Sequence, residues 1–310
     1  MNPKQTRIAL VGIGDIARKV YLPLLSRHSG VEVAGVLSHS SSTVEETVAA
    51  YRLPRGTTRL EELLSWKPDA VFVHSPTSTH YEIVMQCLRS GVAVYVDKPL
   101  SGEWEQSQRM AELAEDRGLL LGVGFNRRFA PMVTAARDWL AEAGDFSQVS
   151  AIKHRTRVQQ GSSSETVHDD LIHILDLLLW LGGADAELLQ DHLVSDSQGR
   201  LLQATGMLGW SNGAAGLYSM VRDAGADLEK LELHGGGRSA EVTDLEKLVL
   251  YEAGSPACLH SFGSWDTILE RRGFSGVVDE FLNHLDTPQQ CGISASQVLP
   301  VHKLAARLTH

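Results

Sequence analysis

Short apolar runs recur through the first part of this chain, and each leads into a helical spacing of apolar positions. Ile8-Ala9-Leu10-Val11 is followed by Ala17, Val20, Leu24 and Leu25 at helical intervals. Val31-Glu32-Val33-Ala34-Gly35-Val36-Leu37 precedes two helical patterns, over 44–51 and 60–66, and Ala70-Val71-Phe72-Val73-His74 precedes one that ends at Leu88. Val92-Ala93-Val94-Tyr95-Val96 is followed by a helix from Ser101 to Gly118, and Leu119 to Gly124 makes a further strand. In 92–96 both alternating faces are apolar, as in a parallel strand covered by helices on each side. Five or six alternations of strand and helix in about 125 residues predict a doubly wound parallel sheet, a Rossmann-type domain.

The pattern changes after residue 145. Residues 149–158 alternate as a strand, with Arg155 and Arg157 on one face, and strand-like runs follow at 201–207, 214–221, 228–234, 239–243 and 248–251. Gly235-Gly236-Gly237 reads as a turn between two of them, because no helix follows that could make it a phosphate loop. Ser162-Ser163-Ser164 reads as a flexible polar loop, and two helical patterns close the chain at 276–285 and 294–308. The expected organisation is α/β: a Rossmann domain over 1–125, then an α+β domain over 126–310 with an open, largely antiparallel sheet. The last helices are candidates to pack back on the first domain.

The chemistry concentrates at the ends of these elements. Gly12-Ile13-Gly14-Asp15-Ile16-Ala17 is G-x-G-x-x-A between the first strand and first helix. There Gly12 allows a tight turn, Gly14 lets the backbone approach a pyrophosphate, and the helix start offers amides to phosphate. Gly12, Gly14, Asp15 and Ile16 are therefore expected at the cofactor. The second strand ends in Ser38-His39-Ser40-Ser41, where an NAD-preferring fold usually carries an acid for the ribose 2′-hydroxyl. Ser38 and His39 there favour NADP, with NAD as the alternative, and Arg18 or Lys19 are candidates to assist.

Ser75, Pro76 and Thr77 lie on a loop at the ligand edge of the sheet and are expected to contact nucleotide. Thr79 and Glu82 have capping-box spacing. His80 is either a surface or capping residue or part of the site. Pro99 cannot join a strand ladder, so Asp97 and Lys98 stand at the carboxyl end of a central strand, where open α/β sheets bind ligands.

A second stretch, 167–181, is a helix that is apolar almost all round from Leu171 onward. Its polar exceptions His173 and Asp176, with Asp169, fall at i, i+4 and i+7, one stripe on a buried element. Such a stripe faces a cleft or a satisfied network. A histidine with a carboxylate one turn before it is suited to proton transfer. His168 and His173 are five apart on a helix and do not share one ion easily, so no metal is expected. Arg127 and Arg128, beside Phe125 and Phe129, suit either an anionic ligand or salt bridges at a domain junction.

Length and charge narrow the class. A chain of 310 residues suits two domains, and 43% hydrophobic with 21% charged residues describes an ordinary globular protein. The formal net charge of −10 speaks against nucleic acid or an anionic membrane as partner. Cys87, Cys258 and Cys291 show no metal-type or C-x-x-C spacing, which predicts buried thiols in a reducing compartment. With no signal-like or membrane-length segment, a cytoplasmic protein is expected.

The chain resembles the Gfo/Idh/MocA oxidoreductase family, and within it the MviM-type subgroup. The resemblance rests on Gly12 to Ala17, Val73-His74-Ser75, Val96-Asp97-Lys98-Pro99-Leu100, Gly124 to Pro131, Asp169 to Asp176 and Glu270-Arg271-Arg272-Gly273-Phe274. Asp97 stands where most members carry glutamate, and Leu171 where they carry glycine. The resemblance implies a nicotinamide-binding domain, a second domain whose sheet mediates dimer or tetramer contacts, Lys98 and His173 as the catalytic pair, and Asp169 beside the substrate.

The expected activity is hydride transfer between NAD(P) and a hydroxyl or carbonyl of a carbohydrate-like small molecule. Lys98, Arg127, Arg155, Asp169 and His173 are placed on the substrate. In that scheme His173 accepts the hydroxyl proton and Lys98 stabilises charge on the oxygen, the two meeting across a cleft. The alternative is a nucleotide-sensing regulator on the same fold, without turnover. Oligomer contacts are expected through residues 200–252, with Leu208, Trp210, Leu217 and Tyr218 on the exposed face.

Overall fold

The computed structural model describes residues 5–144 and 146–309, which form two compact units. One unit takes the chain up to Gly124 together with Val278–Leu299. The other takes Phe125–Val277 and the residues from Pro300.

The first unit is a six-stranded sheet of β1 (Thr6–Val11), β2 (Val31–Leu37), β3 (Gly56–Thr57), β4 (Ala70–Val73), β5 (Ala93–Val96) and β6 (Leu121–Val123). Its order is β3-β2-β1-β4-β5-β6, all parallel, with the reversal of order between β1 and β4. This is the doubly wound arrangement that the apolar runs predict, and it puts the carboxyl ends of β1, β4 and β5 side by side. Every residue of β4 and β5 is buried, as two covered faces require. The returning segment completes this unit. Val123 N donates to Ile293 O at 2.9 Å, and the Phe281 ring packs edge-on against Phe72 and Tyr95.

The cap expected at Thr79 does not form. Thr79 turns its hydroxyl back to Ser75 Oγ and Pro76 O instead of capping, because a 3₁₀ turn over Thr77–Thr79 precedes the helix that starts at His80. Ser101 accepts from Glu103 N but does not cap the next helix, which starts at Trp104.

The second unit is built on an eight-stranded sheet of β7 (Gln148–His154), β8 (Glu187–Ser195), β9 (Leu201–Gly209), β10 (Ala215–Val221), β11 (Leu228–Gly235), β12 (Arg238–Thr243), β13 (Lys247–Glu252) and β14 (Cys258–Ser261). The order is β14-β13-β12-β11-β7-β10-β9-β8, antiparallel except for the β7–β10 pair. Sequence periodicity missed β8 and β14, whose exposed residues carry little apolar alternation. Helices Pro131–Ala141 and Ile172–Gly182 pack against the sheet, and burial alternates along β10 and along β11 as far as His234.

Leu208, Trp210 and Tyr218 belong to the buried rows, contrary to the expectation that they face outward. Trp210 donates to Gly183 O at 3.0 Å. Of the four residues named, Leu217 is the one on the half-exposed row. Cys258 is also exposed rather than buried, since it lies on the outermost strand. Among the described residues no helix is long and apolar enough to cross a membrane.

Candidate active site

In the first unit the glycine turn joins β1 to a helix that opens with a π turn over Ala17–Tyr21 and continues over Leu22–Leu25. Pro23 has no N–H to continue an α ladder through this point. Gly12 has φ +87°, and a Cβ there would lie 2.4 Å from Ser75 N, so the turn packs directly on the loop after β4. Gly14 is different: a Cβ would meet nothing within 4 Å, leaving open space against exposed backbone. That is the cradle a pyrophosphate needs. Asp15 is exposed and paired with Lys19 at 2.7 Å, which lowers its pKa through the hydrogen bond and charge of Lys19.

Around the turn, Ser38 is buried with its N–H on Thr57 O, and His39 is exposed. Ser40 caps the helix Ser41–Tyr51 by accepting from Thr43 N. His80 offers no spare nitrogen to a nucleotide. Its Nδ1 and Nε2 lie 2.9 Å from Pro99 O and Ser75 O, so it ties together the loops that follow β4 and β5. Burial lowers its pKa against the pull of those two carbonyls.

Lys98 follows β5 at the ligand edge, with its N–H on Asp97 Oδ1 at 2.8 Å. Below this edge lies a buried aromatic group. Tyr21 and Tyr95 share a hydrogen bond of 2.8 Å, and His74 stacks on Tyr21 with ring centroids 3.9 Å apart. Burial pushes both tyrosines well up and drives His74 down to about 3, so this imidazole is neutral.

In the second unit the twin arginines and the polar stripe meet. Arg128 forms a bidentate pair with Asp176, Nε to Oδ2 at 2.9 Å and Nη2 to Oδ1 at 2.5 Å. Arg127 pairs through Nε and Nη2 with both oxygens of Glu229, and its Nη1 donates to His173 Nδ1 at 2.7 Å. Of the two roles left open for these arginines, the structure shows salt bridges, and they lie within this unit. The same turn is braced by Asn126 Nδ2, which donates to Arg272 O at 2.7 Å, beside Gly273 at φ +76°.

Asp169 is exposed and accepts from Gln159 at 2.9 Å. The group that meets Nδ1 of His173 is thus an arginine rather than the carboxylate one turn earlier. Residues Val167–Leu171 form a π turn before the helix Ile172–Gly182, so α-helical spacing does not hold across this stretch. Ser162, expected in a flexible loop, instead caps this element in a capping box with Glu165. The S-x-x-E spacing carried that signal.

Three buried charges in and beside this cluster, Lys153, Arg222 and Glu229, were not anticipated. Lys153 pairs with Asp170 at 2.5 Å, Arg222 also pairs with Asp170, and Arg155 lies 3.5 Å from Asp170 and 3.9 Å from Glu229. Burial alone would raise Glu229, but Arg127, Lys153 and Arg155 hold it at about 2. Asp170 is likewise held at about 2 by Lys153, Arg155 and Arg222 against its burial. Strand phase offered a signal. Lys153 falls in step with Val149 and Ala151, and Glu229 with Leu231 and Leu233, all pointing inward. Glu229 and Lys153 are direct partners in the β7–β11 register.

Comparison with known proteins agrees with this architecture. Residues 6–125 match the Gfo/Idh/MocA oxidoreductase family with its NAD-binding Rossmann fold, and residues 131–253 match the YceM-like C-terminal domain. YceM of Salmonella typhimurium is 35% identical over 278 residues, 89% of this chain and 88% of its own. The crystal structure of the dehydrogenase MviM from Clostridium difficile superposes with a TM-score of 0.92 at 31% identity, covering 99% of both chains. A UDP-N-acetylglucosamine 3-dehydrogenase from Acidithiobacillus ferrooxidans is 24% identical over 94% of each chain. With the open glycine cradle on a 3-2-1-4-5-6 sheet and this coverage, the chain belongs to the Gfo/Idh/MocA family of NAD(P)-dependent oxidoreductases.

Proposed function

We propose that this protein moves a hydride between a nicotinamide cofactor and the C–OH or C=O carbon of a sugar, polyol or related small molecule. The supporting observation is that Lys98 stands at the carboxyl end of β5 on the unit that carries the glycine cradle. A relative along nearly the whole chain is named for oxidising a nucleotide sugar. The cofactor, when bound, supplies or takes up the hydride. Gly12, Gly14 and the amides of Asp15 and Ile16 would hold its pyrophosphate, and Ser75, Pro76 and Thr77 would line the nicotinamide side, beside Asp97. Lys98 and His173 act on the substrate oxygen, and Asp169 and Arg155 contact the rest of the substrate.

NADP(H) is the preferred cofactor in this proposal. Ser38 brings no carboxylate against a 2′-phosphate, and the capped helix start at Ser41 adds a favourable dipole. A homodimer or larger assembly through the half-exposed rows of the second sheet, including Leu217, completes the proposal. A monomer by light scattering at micromolar concentration would remove that last part.

The decisive experiment follows nicotinamide absorbance with NADPH and NADH against a panel of polyols, sugars and nucleotide sugars. Lys98→Ala and His173→Ala should each lower turnover by about 100-fold or more. Unchanged turnover in either variant would overturn the assignment of that residue. Clearly tighter binding of NADH than NADPH would overturn the cofactor preference.

A further inference from the structure

Arg127 decides which nitrogen of His173 carries the proton. A guanidinium has five N–H donors and no acceptor. Its Nη1 lies 2.7 Å from His173 Nδ1, so Nδ1 must meet it as a lone pair. Arg127 is not free to turn away. Glu229 takes its Nε and Nη2, the latter at 2.9 Å, and Asn126 Oδ1 lies 3.5 Å from Nη1. Arg127 and His173 are each 8% exposed, so little water is at hand to replace a lost bond. Moving the proton to Nδ1 would break this bond and point an N–H at a fixed cation.

We propose that Arg127 is a positioning residue that holds His173 as the neutral tautomer protonated on Nε2, a fixed hydrogen-bond donor to the substrate oxygen instead of a proton acceptor. The substrate-facing part of this inference rests on the function proposed above; the tautomer itself does not. It inverts the role that sequence reasoning gives His173. During reduction, a C–H bond forms at the carbonyl carbon as the dihydronicotinamide is oxidised, and the C=O π pair moves onto oxygen. The Nε2–H group stabilises that charge. The proton that completes the hydroxyl comes from the Lys98 ammonium, whose N–H bond breaks to leave the amine. In oxidation the amine takes the hydroxyl proton back.

The test is long-range ¹H–¹⁵N correlation spectroscopy of protein labelled in its histidine rings, with His173 assigned by its loss in His173→Gln. At neutral pH, Nδ1 of His173 should resonate as an unprotonated nitrogen and Nε2 as a protonated one. A ring protonated on Nδ1, or on both nitrogens, would overturn the proposal. Arg127→Met alone would leave Glu229 without its bidentate partner, so the paired variant Arg127→Met/Glu229→Leu removes both buried charges. Its His173 should lose the single tautomer, with kcat lower by about 100-fold and cofactor affinity nearly unchanged. Retention of the same tautomer in that variant would also overturn the assignment. Arg127→Lys, which keeps a donor, should recover part of the wild-type signature. A fixed Nε2–H ring in a protein with no turnover on any substrate would sink the enzymatic proposal and leave the tautomer standing. Turnover with an Nδ1–H ring would do the reverse.

Discussion

At the glycine turn of the first unit, the exposed surface is backbone, and the open space beside it comes from the missing side chain of Gly14. Around His173 in the second unit, the polar groups are side chains held by other buried side chains: Glu229 holds Arg127, and Arg127 holds the imidazole. The first design uses few charges and tolerates its surroundings. The second takes at least six ionisable groups from water and stands only while each keeps its partner. Rigidity therefore comes from close packing in one region and from mutual charge satisfaction in the other.

The largest expected consequence of that contrast lies in the Arg128–Asp176 pair. Arg128→Met should cost about 3–5 kcal/mol by leaving Asp176 buried alone. Arg128→Met/Asp176→Leu, which removes both charges, should recover most of that loss in denaturant unfolding. If the double variant is as unstable as the single one, packing rather than charge satisfaction holds this region.

Acid comes next. The folded pKa values of Glu229 and Asp170, at about 2, lie below the ordinary carboxylate range near 4. Each group therefore contributes stability that is present above pH of about 4.5 and lost as pH falls toward 2. Unfolding midpoints should drop steeply across that window, and less steeply in Glu229→Gln/Arg127→Met.

The glycine turn gives the smaller, sharper effects. Gly12→Ala places a Cβ against the Ser75 backbone at a left-handed φ and should cost about 1–3 kcal/mol in stability. Gly14→Ala should change stability by less than about 0.5 kcal/mol, because its Cβ meets nothing. It should nevertheless weaken cofactor binding in a fluorescence titration. Equal stability losses at the two glycines would contradict the distinction between a packed and an open position.

The same contrast explains what the sequence disclosed. The cradle is local: strand, glycines and helix start are consecutive, so spacing alone located it. Lys98 was legible because a proline ends its strand. The partners of the second region are remote in sequence, 46 residues from Arg127 to His173 and 102 from Arg127 to Glu229. No spacing rule joins them. What could be read was phase, an inward lysine at 153 and an inward glutamate at 229, each in an apolar row. The polar stripe was visible, but the π turn over Val167–Leu171 and the arginine that meets His173 were not.

The first unit is not closed by its own consecutive residues. The outer side of β6 is joined by the Ile293–Ser294 stretch, and the ring of Phe281 covers Gly122. On a ribosome, β1 to β6 emerge long before these pieces exist. For the time it takes to make roughly 160 to 170 further residues, the growing chain carries an open strand edge and an uncovered aromatic face. The sheet is therefore still unfinished at the stage when its most recognisable part, the glycine turn and the six strands around it, has already been made.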